Sequence, residues 1–380
     1  MAPAELKNGL ISVDDHVQEP PDLWTNRLPR QKWGDHIPHV ERLLDGTERW
    51  LSDGETLLEG HVARCGAFMP DRNREPARWE DVPAAAYAPS ERLAAMDTAG
   101  VDYSVLYPTV AGLAGQAFGR LNDPELELAC VQAYNDWLIE EWAAASSRFI
   151  PQCIVPLGPA ETTVAEIRRA VARGHRGVVF PSVPHDLRAV PHVADADYDS
   201  IWSVCEELDV PLCVHAGASP TLQNASPPGL APACAEALDA VTRPVSSTYV
   251  LNLFLFSRIL LRHPKLQLVM AESSLSWAML DLEWADHQFE HDGLAHEGYD
   301  LRPSEMFHRQ VYLSSWFDEV APFASYIGAG NILWSTNLPL ATSSWPRTRE
   351  TIDRCLQGVT DEERQKVLWS NAASLYRIGR

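Results

Sequence analysis

A chain of 380 residues, 46% of them hydrophobic and thirteen of them tryptophan, can bury a large core. This excludes intrinsic disorder and falls within the roughly 200 to 400 residues that one α/β barrel uses. Its 31 Lys plus Arg against 52 Asp plus Glu leave a formal charge of −21, which repels phosphate backbones and anionic bilayers, so neither nucleic acid nor membrane is an expected partner.

The first fifteen residues, MAPAELKNGLISVDD, lack the basic and apolar regions of a secretory leader, and the seven cysteines are scattered without a CxxC pair. Both features predict a cytoplasmic protein with reduced thiols. Short apolar runs rich in branched residues then recur along the chain, at 10–13, 101–107, 149–155, 177–180, 210–214, 266–271, 311–314 and 331–334. Helical patterns or long loops separate them; Ser90 and Gly100 are read as the two caps of the helix before the second run, and Gly174 as the stop of the helix before the fourth. Eight such runs predict a (β/α)8 TIM barrel spanning residues 1–380 as one domain. Two segments break the rhythm, about 20–89 and 219–244, rich in Pro, Gly and polar residues. They are expected to be insertions after strands one and five that form lids, pocket walls or, for the first, a two-fold contact in a homodimer. Near the end, Thr360 and Glu363 have capping-box spacing, and Leu368, Ala372 and Leu375 form an apolar stripe suited to the barrel exterior.

In such a barrel, chemistry gathers at the C-terminal ends of different strands. Asp14 and His16 follow the first run two residues apart, so an extended chain points both side chains to one face and Asp15 to the other. His215 follows the fifth run, Glu272 the sixth and Asn337 the eighth. An Asp/His/His set with an open position suits a catalytic divalent metal, zinc first. A lone histidine at a strand end is more often a hydrogen-bonded pocket residue, and only the convergence of several strand ends favours the metal. Glu19, Trp24 and Trp316 stand near strand ends and are candidate substrate contacts. His287, His291 and His296 read better as a solvated helix face among Glu283, Asp286, Glu290 and Asp292 than as a second metal site.

The segments ISVDDHVQEP, PLCVHAGA, LQLVMAESSLSWAMLDLEWADH and ILWSTNLPLATSSWPRTRETI resemble the amidohydrolase-related proteins, nearest to the branch of aminocarboxymuconate-semialdehyde decarboxylase. The resemblance covers nearly the whole chain. It implies that Asp14, His16 and His215 are metal ligands, with Glu272 as an acid/base or substrate contact. Relatives carry W-G-S-D-Y-P-H at the eighth strand, where the aspartate binds metal and handles a proton. This chain reads Trp334-Ser335-Thr336-Asn337-Leu338-Pro339-Leu340. An asparagine carbonyl can coordinate weakly but cannot act as general base, which weighs against ordinary metal-water hydrolysis. The expected function is metal-assisted bond cleavage, as decarboxylase, other lyase or hydrolase, on a small carboxylated or ring-containing substrate. The alternative is a metal-free or catalytically altered homologue that uses the barrel mouth as a binding pocket.

Overall fold

The computed structural model describes residues 9–58, 61–219, 222 and 228–379. Eight parallel strands stand in chain order around the molecule: β1 (Ile11–His16), β2 (Tyr103–Tyr107), β3 (Phe149–Pro151 and Cys153–Ile154, interrupted at Gln152), β4 (Val178–Val179), β5 (Leu212–His215), β6 (Leu268–Ala271), β7 (Val311–Ser315) and β8 (Ile332–Trp334). Each pairs with the next, for instance His16 opposite Tyr107 and Ala271 opposite His215. The ring is drawn shut just beyond β8, where the Asn337 amide donates to the Asp14 carbonyl (3.0 Å) and the His16 amide to the Leu338 carbonyl (2.5 Å). The chain is therefore a TIM barrel. All barrel-strand residues except the half-buried Tyr312 are buried, on both faces, as a parallel sheet covered by helices requires.

The strands differ from the sequence pattern in one useful respect. Asp14, His16 and His215 do not follow their strands but lie within the last residues of β1 and β5. At these strand positions the three polar side chains face one another across the lumen. Ser90 does not cap its helix: the helix is Pro89–Ala99, Ala88 holds the cap position without a side-chain bond, and Pro89 takes the first turn, where its missing N–H is not needed. Gly100 at φ 73° does close it, a backbone state that glycine adopts at little cost. Gly174 ends Ala160–Arg173 in the same way, and Thr360 and Glu363 form the reciprocal capping box.

The insertion after β1 carries a small antiparallel sheet of His39–Arg42, Glu48–Ser52 and Glu55–Thr56, together with short helices. In the second insertion, residues 220, 221 and 223–227 lie outside the described residues, but the rest contains a helix, Pro232–Thr242. Its sequence, PACAEALDAVT, opens on a proline that suits the first turn and is rich in alanine, a strong helix former. One continuous hydrophobic cluster runs from Leu10 to Ile378 and takes in Leu368, Ala372 and Leu375. Among the described residues no helix is long and apolar enough to cross a membrane.

Candidate active site

Asp14, His16 and His215 meet in the lumen at the C-terminal ends of β1 and β5, each at most 3% exposed. The His16 Nδ1 lies 2.8 Å from the Pro108 carbonyl and the His215 Nδ1 2.7 Å from that of Ala216. A carbonyl oxygen only accepts, so each Nδ1 carries the proton and each Nε2 presents a lone pair. The two Nε2 atoms are 3.3 Å apart, and the Asp14 Oδ1 is 3.4 Å from both. Three electron-rich atoms thus face one another. A triangle with these edges has its centre about 1.9 Å from each corner, a spacing compatible with the ~2.0 to 2.1 Å usual between zinc and nitrogen or oxygen, so these three residues would hold a divalent ion. Neither carboxylate oxygen of Asp14 has a hydrogen-bond partner although both are buried, and a cation would remove that deficit. Burial opposes charge here, yet positive charge on the facing imidazoles, that of His215 first, holds Asp14 well below the usual carboxylate range. Despite its own burial, His215 is raised by Asp14 and then by Glu272. The point where the three converge therefore favours positive charge, and the donor set fits a divalent metal.

Glu272 follows β6 and is 3% exposed. Its Oε1 accepts from the Asn337 Nδ2 at 3.3 Å, whereas Oε2 lies 3.6 Å from the Arg243 Nη1 and 3.9 Å from the His215 Nδ1 and has no hydrogen-bond partner. Asn337 also donates to the Thr342 hydroxyl at 2.9 Å, leaving its own carbonyl oxygen unpartnered. Glu272 and Asn337 both hold left-handed backbone, at φ 50° and 56°, costly for residues other than glycine and tolerated where surrounding structure fixes them.

Two cavities border Glu272. One of about 490 Å³ is lined by Arg64, Glu75, Arg120, Arg243, Glu272 and Leu340 among others. The other, about 550 Å³, is lined chiefly by Val241, Val245, Trp277, Trp316 and Phe317, and shares Arg243, Glu272 and Thr342 with the first.

Two of the expected substrate contacts are elsewhere. The Glu19 carboxylate is fully buried and accepts from the backbone amides of Thr109, Val110 and Ala111 at 3.1, 2.9 and 3.4 Å, so it shapes the loop after β2 rather than facing either cavity. Burial pushes its pKa up to about 7 against the pull of those amides. Trp24 is fully buried, donates to the Cys130 carbonyl at 3.0 Å and packs edge-on against Trp50 and Phe118, so it belongs to the core. Trp316 does line a cavity. His287 and His291 lie along the helix Ser276–His291 with ring centroids 6.1 Å apart, and His291 pairs with Asp292. Arg64 and Arg243, which sequence reasoning passed over, come from the two insertions. Their only signal was positive charge beside the breaks in rhythm.

The sequence pattern of the amidohydrolase family matches residues 38–378, a span that begins after β1 and so does not include Asp14 and His16. A gamma-resorcylate decarboxylase of Polaromonas sp. is 22% identical over 363 residues, covering 86% of this chain and 100% of that protein. Among solved structures, an amidohydrolase from Mycobacterium avium subsp. paratuberculosis aligns with a TM-score of 0.77 at 22% identity over 98% of both chains. A dihydroxybenzoic acid decarboxylase from Polaromonas sp., containing manganese and the inhibitor 2-nitroresorcinol, aligns with a TM-score of 0.64 at 18% identity over 98% of both.

Proposed function

Because the chain belongs to the amidohydrolase family, we propose that it is a metal-dependent enzyme that cleaves a bond in a small carboxylated, ring-containing substrate, with decarboxylation as its reaction. The convergence of Asp14, His16 and His215 on one point beside the Glu272 cavity carries this reading. Asn337 favours decarboxylation over hydrolysis, since its amide cannot take the proton of an attacking water. The decarboxylases among the relatives support the same choice.

A divalent ion held by Asp14, His16 and His215 would supply Lewis acidity toward a substrate oxygen. Zinc suits the nitrogen and oxygen donors, and manganese, present in the dihydroxybenzoic acid decarboxylase, suits them as well. The guanidinium groups of Arg64 and Arg243 line the adjoining cavity and attract a substrate carboxylate. When the bond from ring carbon to carboxylate breaks, its electron pair stays on the ring carbon and CO₂ leaves. Glu272 relays to that carbon the proton which replaces the carboxyl group, taking it from the donor that faces its Oε2, and water restores the proton to that donor. Seven free cysteines, six of them buried, accord with a reducing compartment such as the cytoplasm.

Asn337 also favours a second reading, a metal-free homologue that only binds its ligand. Elemental analysis of the purified protein, with CO₂ release from a panel of hydroxybenzoic acids before and after chelation, separates the two. We expect bound divalent metal and chelator-sensitive release. A protein free of metal, and inert after incubation with zinc or manganese, would overturn the proposal.

A further inference from the structure

The two cavities meet at Glu272, Arg243 and Thr342, and they differ in character. The first is lined by the charged residues Arg64, Glu75, Arg120, Asp239 and Arg243 beside several leucines and alanines. The second is walled by apolar side chains. Trp316 is 6% exposed yet stands apart from the main core cluster, and its ring meets that of Phe317 edge-on at 4.8 Å. The Trp277 indole nitrogen already donates to the Ser273 carbonyl at 2.6 Å, so this ring adds no unmet polar group. Val241, Val245 and Phe317 are 73, 53 and 48% exposed, a concentration of open apolar surface beside a buried polar junction.

At that junction the Glu272 Oε2 has no hydrogen-bond partner although it is buried, and it borders both spaces. Arg243, tied to Asp239, approaches it only to 3.6 Å. A donor from a ligand is what this oxygen lacks. Each cavity alone is within the ~300 to 1,000 Å³ that commonly holds a whole small ligand, so a single hydroxylated ring would leave one of them empty.

We propose that the substrate is two-armed: a carboxylated arm lies in the arginine-lined cavity, a hydroxyl or N–H at the junction donates to Glu272, and an aryl or alkyl arm lies against Trp277, Trp316 and Phe317. This rests on the proposed reaction and adds the class of substrate to it. The apolar arm gives affinity by removing hydrocarbon surface from water, and the junction fixes its position relative to the reacting end.

Calorimetric titration of the metal-loaded protein with salicylate, 4-phenylsalicylate and 5-phenylsalicylate tests it. At least one phenyl isomer should bind roughly tenfold or more tightly than salicylate. Trp316→Ala should abolish that gain, read as the ratio of phenylsalicylate to salicylate affinity. Phe317→Ala, at a half-exposed position, should reduce the gain and remains informative if the first variant does not fold. Equal affinity of all three acids, or a gain that survives both variants, would overturn the two-armed substrate while metal content and CO₂ release still support the reaction. Failure of all three acids to bind the metal-loaded protein overturns it too, and loss of metal and CO₂ release would then show whether the reaction falls with it.

Discussion

Asp14 and Asp15 are neighbours on β1, both fully buried, and they face opposite surroundings. Asp15 points to the outside of the ring and is satisfied: it accepts from the Ser104 hydroxyl on β2 at 2.6 Å, and from the Thr336 hydroxyl and the Leu338 amide beyond β8 at 2.7 and 2.9 Å. It thereby ties both neighbours of β1 together at the point where the barrel closes. Asp14 points to the lumen and has no hydrogen-bond partner on either oxygen. The same contrast separates Glu19, held by three amides, from Glu272, held on one side only. Satisfied carboxylates build the frame of the mouth, and unsatisfied ones mark where something else must bind.

Exchanging one atom at each carboxylate tests that division. Asp14→Asn removes the anionic corner of the triangle, and we expect loss of bound metal with turnover falling by about 10³-fold or more, the fold remaining intact by circular dichroism. Full metal occupancy in this variant would break the comparison at its centre. Glu272→Gln keeps size and hydrogen bonding but removes the exchangeable proton, and should lower turnover by about 10²-fold while KM stays within a few-fold of wild type. A rise in KM with unchanged kcat would leave Glu272 as a binding group alone, with no part in proton transfer.

Asp15→Asn should show the opposite pattern. Burial raises the pKa of Asp15 against the pull of Ser104, Thr336, Arg92 and the Leu338 amide, so its charge is not what stabilises the fold. Both oxygens accept hydrogen bonds, however, and an asparagine NH₂ in place of either one leaves donors facing a donor. Thermal or urea denaturation should report about 2 kcal/mol of lost stability, with metal content of the folded protein unchanged. The smallest effect is expected from Asn337→Asp, which restores an anionic oxygen beside Glu272. Metal affinity should rise by about tenfold, read by competition with a chelating dye, and the metal-free form should melt lower, since two carboxylates then stand about 3.3 Å apart. Unchanged affinity would show that Asn337 does not limit metal binding.

Local pattern sufficed for much of this. The barrel strands were legible because an apolar run of branched residues buried on both faces looks the same wherever it stands in the chain, and the i, i+2 spacing of Asp14 and His16 places them on one face of any strand. The caps at Gly100, Gly174 and Thr360 are equally local, since each depends on a few residues of backbone. Trp24 and Trp316 could not be told apart in this way. Both follow strands closely, but one meets Trp50 and Phe118 across the insertion while the other meets a cavity, and those neighbours lie far off in sequence. Glu19 had the composition of a catalytic carboxylate, and only the folded loop supplied the three amides that occupy it. Arg243 and Arg64 reached the mouth through insertions whose weak periodicity concealed them. Sequence by itself determined which residues each strand end carries, because strand geometry repeats every two residues. Tertiary structure alone decided which of those residues keep an unmet hydrogen bond, because satisfaction depends on partners that packing brings from elsewhere in the chain.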